Sequence, residues 1–163
     1  MKEKYSTWMK IEKGGKRLVS SGFIIRGKGK RILLGKADGH KEPYCWTVFK
    51  GQIEEGEDLI NTAIRELKEE SGIDINSDMR LNKNISSNYV YSYNLHHKDV
   101  YLFILEDVEG ALDSYPFSCS SIWGDTGNPE ISNYQWFTVD EMDNYIFPSQ
   151  RGLVEFLKNK YNK

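Results

Sequence analysis

Three glutamates are grouped in one segment of this chain in a way that suits the binding of a metal ion. Glu66, Glu69 and Glu70 have the spacing i, i+3 and i+4, which places them on one arc of a helix. Like charges at this spacing repel one another, and a divalent cation would relieve the repulsion. Carboxylate oxygens suit Mg²⁺ or Mn²⁺. The alternative is an ordinary solvated acidic face, because glutamate-rich helices are common.

The same segment has the periodicity of a helix that packs on a core. Apolar residues recur at i, i+3, i+4 and i+7, namely Ile60, Ala63, Ile64 and Leu67. Arg65 can reach Glu69 one turn later and orient part of the acidic cluster. Glu57 lies near the predicted helix start, where its charge complements the helix dipole. The sequence therefore predicts a loop that leads into a helix with one apolar and one acidic face.

Taken as one pattern, residues 51–73 are more specific than the acidic spacing alone. Gly51 is followed after five residues by Glu57, and after seven more by the sequence RELKEESGI of residues 65–73. This arrangement resembles the complete Nudix box, a motif defined by many positions at fixed spacing. The resemblance implies a Nudix hydrolase, an enzyme that uses a divalent metal to cleave a nucleoside diphosphate linked to another moiety.

The resemblance has consequences for the metal, the chemistry and the fold. It implies that Glu66, Glu69 and Glu70 hold Mg²⁺ or Mn²⁺, and that Glu66 orients or deprotonates the attacking water. The metal would neutralise the diphosphate oxygens and lower the pKa of a bound water. It also implies an α/β/α sandwich around a mixed β-sheet, with the box forming a loop, a helix and a second loop at one end.

Further residues acquire roles from the same resemblance. Arg65 and Glu57 would support the acidic cluster, and the backbone carbonyl of Lys50, the residue before the box, would be a metal ligand. In some members of the family a glutamate later in the chain assists the metal or the water, which makes Glu130 a candidate for that role.

Residues 46–51 bear on the substrate. Their sequence, WTVFKG, is similar to the Trp-x-x-Pro-Lys-Gly segment of diadenosine polyphosphate hydrolases, with Phe49 in place of the proline. A dinucleoside polyphosphate such as diadenosine tetraphosphate, or another small nucleotide, is the first prediction. Lys50 and Gly51 are predicted to contact it, because a lysine ammonium group can hold a phosphate as a point charge. A solvated lysine at a strand end is the alternative.

Other functions stay open. A 5′-triphosphorylated or capped RNA end would need a basic groove, for which the candidates are Arg26, Lys28, Lys30, Arg31 and Lys41. ADP-ribose and nucleoside triphosphates are further candidate substrates. A nucleotide sensor without catalysis would have no need of the acidic cluster. An isomerase of isoprenyl diphosphates would need a reactive thiol, and Cys45 is the candidate near the box.

The segment 109–129 is long and rich in Gly, Ser and Pro, as many substrate lids are. Its aromatic residues can stack on a nucleobase or can instead pin the loop to the body of the protein: Tyr115, Phe117 and Trp123. Another aromatic set, at Tyr89, Tyr91 and Tyr93, alternates along a predicted strand. That alternation favours packing on the sheet over a base-stacking platform.

Composition indicates one domain over residues 1–163, with 39% hydrophobic residues available for a core. The net charge of −2 argues against bulk electrostatic attachment to DNA or to an anionic membrane. Cys45 and Cys119 lie far apart, which favours free thiols in a cytoplasmic protein. No stretch has the pattern of a signal peptide or a membrane span. Monomer and homodimer are both compatible with the sequence.

Periodicity and turn residues predict the remaining elements. The predicted strands cover residues 5–12, 18–26, 31–35, 45–49, 85–93, 100–105 and 131–137, and the second and third form a hairpin. Thr138 and Glu141 form a capping box for a short helix, and Ser149 is predicted to cap a last helix. His96 and His97 fall in a predicted turn with side chains that point apart, which argues against a shared metal site.

Overall fold

The computed structural model describes residues 8–12 and 15–161, with side chains from Arg17 onward. Within these ranges, eight strands form one sheet. The strands are β1 (Trp8–Glu12), β2 (Gly15–Arg26), β3 (Ile32–Ala37), β4 (Trp46–Thr47), β5 (Phe49–Gln52), β6 (Tyr91–Asn94), β7 (Lys98–Glu106) and β8 (Ile131–Phe137). The helices are α1 (Leu59–Ser71), α2 (Met79–Asn82), α3 (Val139–Met142) and α4 (Gly152–Tyr161).

The sheet is mixed, and β2 is its central strand. β2 pairs in parallel with β7 along nine residues and antiparallel with β1, β3 and β5. β6 and β8 extend the sheet at its two sides, by antiparallel pairing with β7 and β3 respectively. A strand that is covered on both faces has apolar residues on both faces, and β2 has this pattern in Phe23, Ile24 and Ile25.

Two apolar cores lie on opposite faces of the sheet, because successive side chains of a strand alternate between faces. Ile24 of β2 packs in one core with Met142 of α3 and Leu157 of α4. Phe23 and Ile25 of β2 pack in the other with Ala63 and Leu67 of α1. The chain therefore has the α/β/α sandwich expected from the sequence. No helix in the described ranges has the length and hydropathy needed to cross a membrane.

The predicted hairpin is confirmed, whereas the predicted strand 45–49 is two short strands. In the hairpin, Ile25 of β2 faces Leu33 of β3. β4 pairs with β3, and β5 pairs with β2 through the facing residues Phe23 and Phe49. The pairing strand changes from β3 to β2 between Thr47 and Phe49, so one apolar run belongs to two different strand pairs. Residues 5–7 of the first predicted strand and Gly14 of the turn after it lie outside the described residues.

The predicted strand 85–93 begins its ladder only at Tyr91, and Ile85 makes one isolated bridge with Leu105. The segment before it also contains α2, which the sequence did not predict and which Asp78 caps by accepting a hydrogen bond from the Arg80 backbone. The expectation that the side chains of His96 and His97 point apart is wrong. Their ring centroids lie 4.0 Å apart, because the turn bends the backbone away from the extended geometry.

At the carboxyl end, the capping box is confirmed and the predicted cap of the last helix is wrong. The Thr138 hydroxyl accepts a hydrogen bond from the Glu141 backbone, and the Glu141 carboxylate accepts one from the Thr138 backbone. Ser149 lies inside the 3₁₀ turn Pro148–Gln150, and α4 begins only at Gly152. Pro148 favours the first position of such a turn, since its φ is fixed and it has no N–H to leave unpaired.

We predict that Gly22→Ala destabilises the sheet where β2 pairs with β5. A Cβ at this position would lie 2.0 Å from the Phe49 carbonyl oxygen and 2.6 Å from Cβ of Lys50, so β2 and β5 would have to move apart. The expected loss in the free energy of unfolding is about 1–3 kcal/mol, measured by chemical denaturation. Gly29→Ala is the matched control, because nothing lies within 4 Å of its added Cβ. Equal stability of the two variants would contradict the prediction.

Candidate active site

Helix α1 carries the acidic residues because its other face is held on the sheet. Asp58 caps its first turn by accepting a hydrogen bond of 3.0 Å from the Asn61 backbone. Gly72 ends it in the left-handed conformation, with φ of 81°, where a side chain would be strained. Ala63 and Leu67 are fully buried in the core beneath. The acidic arc is therefore turned toward the end of β5 and fixed there.

Glu66 lies directly against Gly51 of β5. A Cβ at position 51 would be 2.0 Å from the carboxyl carbon of Glu66 and about as close to both of its oxygens. Only glycine leaves room for this carboxyl group. Next to it, Glu70 is almost fully buried and its carboxylate accepts a hydrogen bond of 2.9 Å from the backbone N–H of Lys50. Two neighbouring residues of β5 thus each contact one glutamate of α1, Gly51 with Glu66 and Lys50 with Glu70.

Arg65 connects the remaining acidic residues. Its guanidinium donates hydrogen bonds of 2.8 Å to each of three carboxylates, those of Glu57, Glu66 and Glu69. It also donates to the backbone carbonyl of Gln52 in β5. The hydrogen bond to Glu57 raises the pKa of Arg65 above its ordinary value. Burial opposes ionisation of Glu57, yet the hydrogen bond from Arg65 holds the pKa of that carboxyl below its ordinary value.

Glu66 and Glu70 carry charge that nearby protein groups only partly compensate. Burial raises the pKa of Glu66, and the negative charge of Glu69 adds to the rise despite Arg65. Burial raises the pKa of Glu70 well above its ordinary value, and the charge of Glu66 adds to it. A divalent cation in contact with both would reverse these effects, because it favours the ionised form of each. The donor set, which consists of carboxylate oxygens, therefore fits Mg²⁺ or Mn²⁺.

The prediction that the three box glutamates converge on one patch is only partly correct. Glu66 and Glu70 line a shared pocket, whereas the Glu69 carboxylate is turned to Arg65 and does not line it. In the part of the chain that the structure describes, no group of three or more His, Cys, Asp or Glu side chains has the geometry to hold a metal ion. For Glu69 to become a ligand, its carboxylate would have to leave Arg65.

The pocket has a volume of about 540 Å³ and extends from α1 across the sheet to the turn before α4. Of the predicted site residues, it brings together Lys50, Gly51, Glu66, Glu70, Glu130 and Trp123. The sequence did not predict several other lining residues, which are His40, Thr47, Tyr93, Lys98, Phe147, Ser149 and Gln150. These residues come from separate segments, and each alone has no spacing that marks a site.

Two lysines line this pocket beside the acidic residues. Lys50 and Lys98 are half-buried, and among the described residues neither ammonium group has a carboxylate within ion-pair distance. Burial lowers the pKa of Lys98, and the positive charge of Lys50 lowers it further. A pocket that contains unpaired ammonium groups is suited to anions.

The end of the pocket away from α1 is aromatic and polar. The rings of His40 and Phe147 meet edge to face, with centroids 5.0 Å apart. Gln150 is buried, and its amide donates to the Thr47 hydroxyl and accepts from the Val48 backbone. The hydroxyl of Tyr93 is the only buried side-chain polar atom in the described ranges that has no hydrogen-bond partner. Burial raises the pKa of Tyr93, which therefore stays protonated and able to donate.

The structure does not bring Tyr115 and Phe117 to this pocket. The Tyr115 hydroxyl donates to the carbonyl of Gly72, and the ring of Phe117 packs against Tyr134 with centroids 5.2 Å apart. Both rings are packed against the core below α1, so this part of the long loop is pinned to the body. Trp123, further along the loop, is 38% exposed and is the aromatic of the three that lines the pocket.

The long loop also completes the end of the acidic helix. The last carbonyls of a helix have no partner within it. Here the Ser120 N–H donates to the backbone carbonyl of Glu69 at 2.7 Å, and the Ser118 N–H donates to that of Ser71 at 3.0 Å. The Tyr134 hydroxyl of β8 donates to the backbone carbonyl of Glu70 at 2.5 Å. The carbonyls of α1 next to the acidic side chains are thus held by two later segments of the chain.

Comparison with known proteins agrees with this arrangement. The family profile described as the NUDIX domain matches residues 16–157 of the chain. The chain belongs to the Nudix family. It is a Nudix hydrolase with the box on β5 and α1, and the family generally depends on divalent metal ions.

Individual relatives of this Nudix hydrolase have different names. The oxidized purine nucleoside triphosphate hydrolase of Mus musculus is 29% identical in an alignment of 126 residues, with 72% of this chain and 70% of that protein covered. The crystal structure of a C. elegans Ap4A hydrolase binary complex has a TM-score of 0.59 at 18% identity, with 88% and 98% of the two chains covered.

A third similar protein is a bifunctional NMN adenylyltransferase/ADP ribose pyrophosphatase from Francisella tularensis. Its TM-score is 0.62 at 14% identity, over 90% of this chain and 42% of that one. At such identities the structural likeness establishes the fold alone and does not identify the substrate of this Nudix hydrolase.

We predict that Tyr134→Phe weakens the support of the acidic helix. The Glu70 carbonyl loses its hydrogen bond while the ring contacts with Phe49 and Phe117 persist. The expected loss in the free energy of unfolding is about 1 kcal/mol, with a several-fold fall in kcat of nucleotide hydrolysis. Tyr145→Phe is the control, since that side chain is 39% exposed and lies outside the pocket. Identical stability and kcat in the two variants would refute the supporting role.

Proposed function

We propose that this chain is a Mg²⁺- or Mn²⁺-dependent pyrophosphohydrolase of nucleoside polyphosphates, either nucleoside triphosphates or dinucleoside polyphosphates. The observation that carries the proposal is the contact of Glu66 with Gly51 beside the buried Glu70. The pocket at this contact is also lined by Lys50 and Lys98, for which the described residues offer no ion-pair partner. The carboxylates suit a metal, the lysines suit phosphates, and the far end suits a nucleobase.

The residues proposed to hold the metal are Glu66, Glu69, Glu70, the Lys50 backbone carbonyl and Glu130. When bound, the metal neutralises the diphosphate oxygens and lowers the pKa of a bound water. The protein contributes position and charge.

In this mechanism Glu66 orients the attacking water or accepts its proton. Arg65, anchored by Glu57, positions Glu66 and Glu69.

The nucleobase is proposed to lie at the end of the pocket formed by Phe147 and His40, with Trp123 at the rim. A base can stack on these rings, and the Tyr93 hydroxyl can donate a hydrogen bond to a base nitrogen or oxygen. Gln150 cannot do so without losing its bonds to Thr47 and Val48. Its proposed role is to fix the wall behind the base.

The choice between substrates rests on two further considerations. The mouse relative is named for a nucleoside triphosphate and the C. elegans structure for Ap4A, and both compounds contain a polyphosphate chain. An RNA end is less well supported. Lys28 and Arg31 of the basic hairpin line a different cavity, with Trp136, that shares no residue with the acidic pocket.

The remaining alternatives have less support. Cys45 is fully buried in the core, does not line the pocket, and has a pKa raised by burial, so the thiol that an isoprenyl diphosphate isomerase would need is not accessible. A sensor without catalysis gives no account of the buried glutamates. We also propose a cytoplasmic location, because Cys45 and Cys119 are both free thiols.

We predict that Glu69→Gln lowers kcat by at least about 100-fold with Mg²⁺ or Mn²⁺, since it removes a proposed metal ligand and leaves the side chain volume unchanged. The assay follows phosphate and nucleotide release from nucleoside triphosphates, diadenosine polyphosphates, ADP-ribose and 5′-triphosphate RNA. Glu155→Gln, an exposed glutamate of α4, is the control and should match the wild type. Activity of Glu69→Gln within threefold of the wild type would exclude the proposed metal role.

We predict that Tyr93→Phe raises KM for the nucleotide about tenfold and leaves the free energy of unfolding unchanged or slightly higher. Among the described residues the Tyr93 hydroxyl has no hydrogen bond of ordinary geometry, although the nearby Gln150 amide lowers its pKa slightly. Removal of the hydroxyl therefore costs little internal hydrogen bonding, whereas a bound base would lose a full hydrogen bond. The measurements are steady-state kinetics and chemical denaturation. Tyr101→Phe on the neighbouring strand is the control outside the pocket. An unchanged KM would show that the hydroxyl does not contact the base.

A further inference from the structure

A second cavity lies at the tip of the hairpin that joins β2 to β3. Its volume is about 190 Å³, against about 540 Å³ for the acidic pocket, and the two cavities share no lining residue. This hairpin cavity is lined by Gly27, Lys28, Gly29 and Arg31 of the hairpin, Asp113 of the long loop and Trp136 of β8. The proposed metal chemistry and the proposed base site use none of these residues.

Hydrogen bonds fix the two turns that enclose the hairpin cavity. The hairpin turn is closed by the Gly27 N–H, which donates to the Arg31 carbonyl at 2.8 Å. The second turn is attached to it, because the Asp107 N–H donates to the Arg26 carbonyl at 2.8 Å. The buried carboxylate of Asp107 in turn accepts hydrogen bonds of 2.8 Å from the N–H groups of residues 111–112. The walls of the cavity are therefore held in place by the protein itself.

Trp136 forms a flat wall of this cavity. A Cβ at Gly27 would lie 2.6, 2.9 and 3.3 Å from three carbons of its six-membered ring, so the ring rests against the hairpin backbone. The side chain is half-buried and packs against the core on the α1 face of the sheet. An indole that is fixed in this way can stack on a nucleobase without rearrangement, and stacking on an aromatic side chain is possible for every base.

Lys28 and Arg31 add positive charge beside this ring. Both residues are exposed, and neither pairs with a carboxylate in the described part of the chain. The stem of Lys28 lies over the second turn, since a Cβ at Gly110 would be 3.1 Å from its Cδ. An inorganic anion would leave the ring unused, and an apolar ligand would leave the cations unused. A nucleotide, which joins a phosphate to a flat base, uses both.

Asp113 indicates which base fits. One of its carboxylate oxygens would lie 2.7 Å from a Cβ at Gly110, which places it near the stem of Lys28, although the described residues include no ion pair of Asp113. An ionised carboxylate only accepts hydrogen bonds. Guanine offers it two adjacent donors, N1–H and the 2-amino group. Adenine offers one donor beside an acceptor nitrogen, which the carboxylate would repel.

We propose that the hairpin cavity is a second binding site, specific for a guanine nucleotide. The base stacks on Trp136 with its donor edge at Asp113, and the phosphate lies at Lys28 and Arg31. A free guanine nucleotide and a guanine within single-stranded RNA offer the same base and phosphate. The site goes beyond the proposed hydrolysis and does not depend on it, because its residues are separate from the acidic pocket.

The test follows the indole N–H signals of Trp123 and Trp136 by nuclear magnetic resonance, because each of these residues lines one of the two cavities. Trp123→Phe and Trp136→Phe assign the signals. Guanosine 5′-monophosphate is titrated in the presence of EDTA, and we expect a saturating shift of the Trp136 signal. Adenosine 5′-monophosphate is expected to bind there about tenfold more weakly. A response of the Trp123 signal alone would refute the second site.

Lys28→Met combined with Arg31→Met is expected to weaken guanosine monophosphate binding at the hairpin cavity about tenfold. Asp113→Asn is expected to remove the preference for guanine over adenine. Lys158→Met combined with Lys160→Met is the matched control for charge, because both lysines belong to α4 on the other face of the sheet and line neither cavity. Thermal melting establishes that each variant is folded. Wild-type affinity in the first double variant, or an unchanged preference in Asp113→Asn, would overturn the assignment.

The trinucleotide UpGpU distinguishes the two sources of the guanine nucleotide. If it shifts the Trp136 signal at lower concentration than guanosine monophosphate does, and loses that advantage in the Lys28 and Arg31 double variant, the ligand is a single strand. If the monophosphate binds as tightly or more tightly, the ligand is the free nucleotide. If neither shifts the signal, no guanine nucleotide binds in the hairpin cavity and the proposal is wrong.

Discussion

The carboxyl group of Glu66 lies against the backbone of β5, in the space that a side chain at position 51 would fill. This contact requires that α1 be held close to the strand, and much of the structure serves that end. The apolar face of α1 is buried on the sheet, Gly72 turns the chain at the end of the helix, and residues of the long loop and of β8 hold the last carbonyls. The distance between helix and strand is therefore set by the packing of the apolar face of α1 and by contacts at its carboxyl end.

The same closeness creates an electrostatic conflict. Burial disfavours the charged forms of Glu66 and Glu70. The guanidinium of Arg65 is shared among Glu57, Glu66, Glu69 and the Gln52 carbonyl, so it cannot neutralise both Glu66 and Glu70. Protein side chains alone leave the cluster short of positive charge. A divalent cation would relieve this conflict. In the structure Arg65 instead holds Glu66 and Glu69, and the Lys50 backbone holds Glu70. Metal binding and the rearrangement of Glu69 are thus expected to be coupled.

Different parts of the fold line different walls of the pocket. The box supplies the acidic wall from one helix and one strand, which keeps its geometry rigid. The other walls come from β4, β6, β7 and the turn before α4, and these supply lysine, aromatic and amide groups. The proposed chemistry therefore lies on one helix and one strand, and the proposed recognition on segments that are distant from them in sequence.

The sequence by itself predicted the helix, its acidic arc and the hydrolase family, because these depend on helical spacing and on a motif within 23 positions. It also predicted the hairpin, β8 and the capping box, where the signals are local. The division of residues 45–49 between two ladders, and the start of α4 after Pro148, depend on which distant strand or core accepts the chain.

Only the tertiary structure decided which groups line the pocket with Glu66 and Glu70. Lys98, Tyr93 and Gln150 are far from Glu66 in sequence and have no pattern of their own, so nothing local marks them. Trp123 and Phe117 lie in one loop with the same aromatic character, yet one lines the pocket and the other packs against Tyr134. The reason is physical: side-chain spacing is encoded along an element, whereas the contacts between elements are fixed by how the whole sheet and its two cores pack.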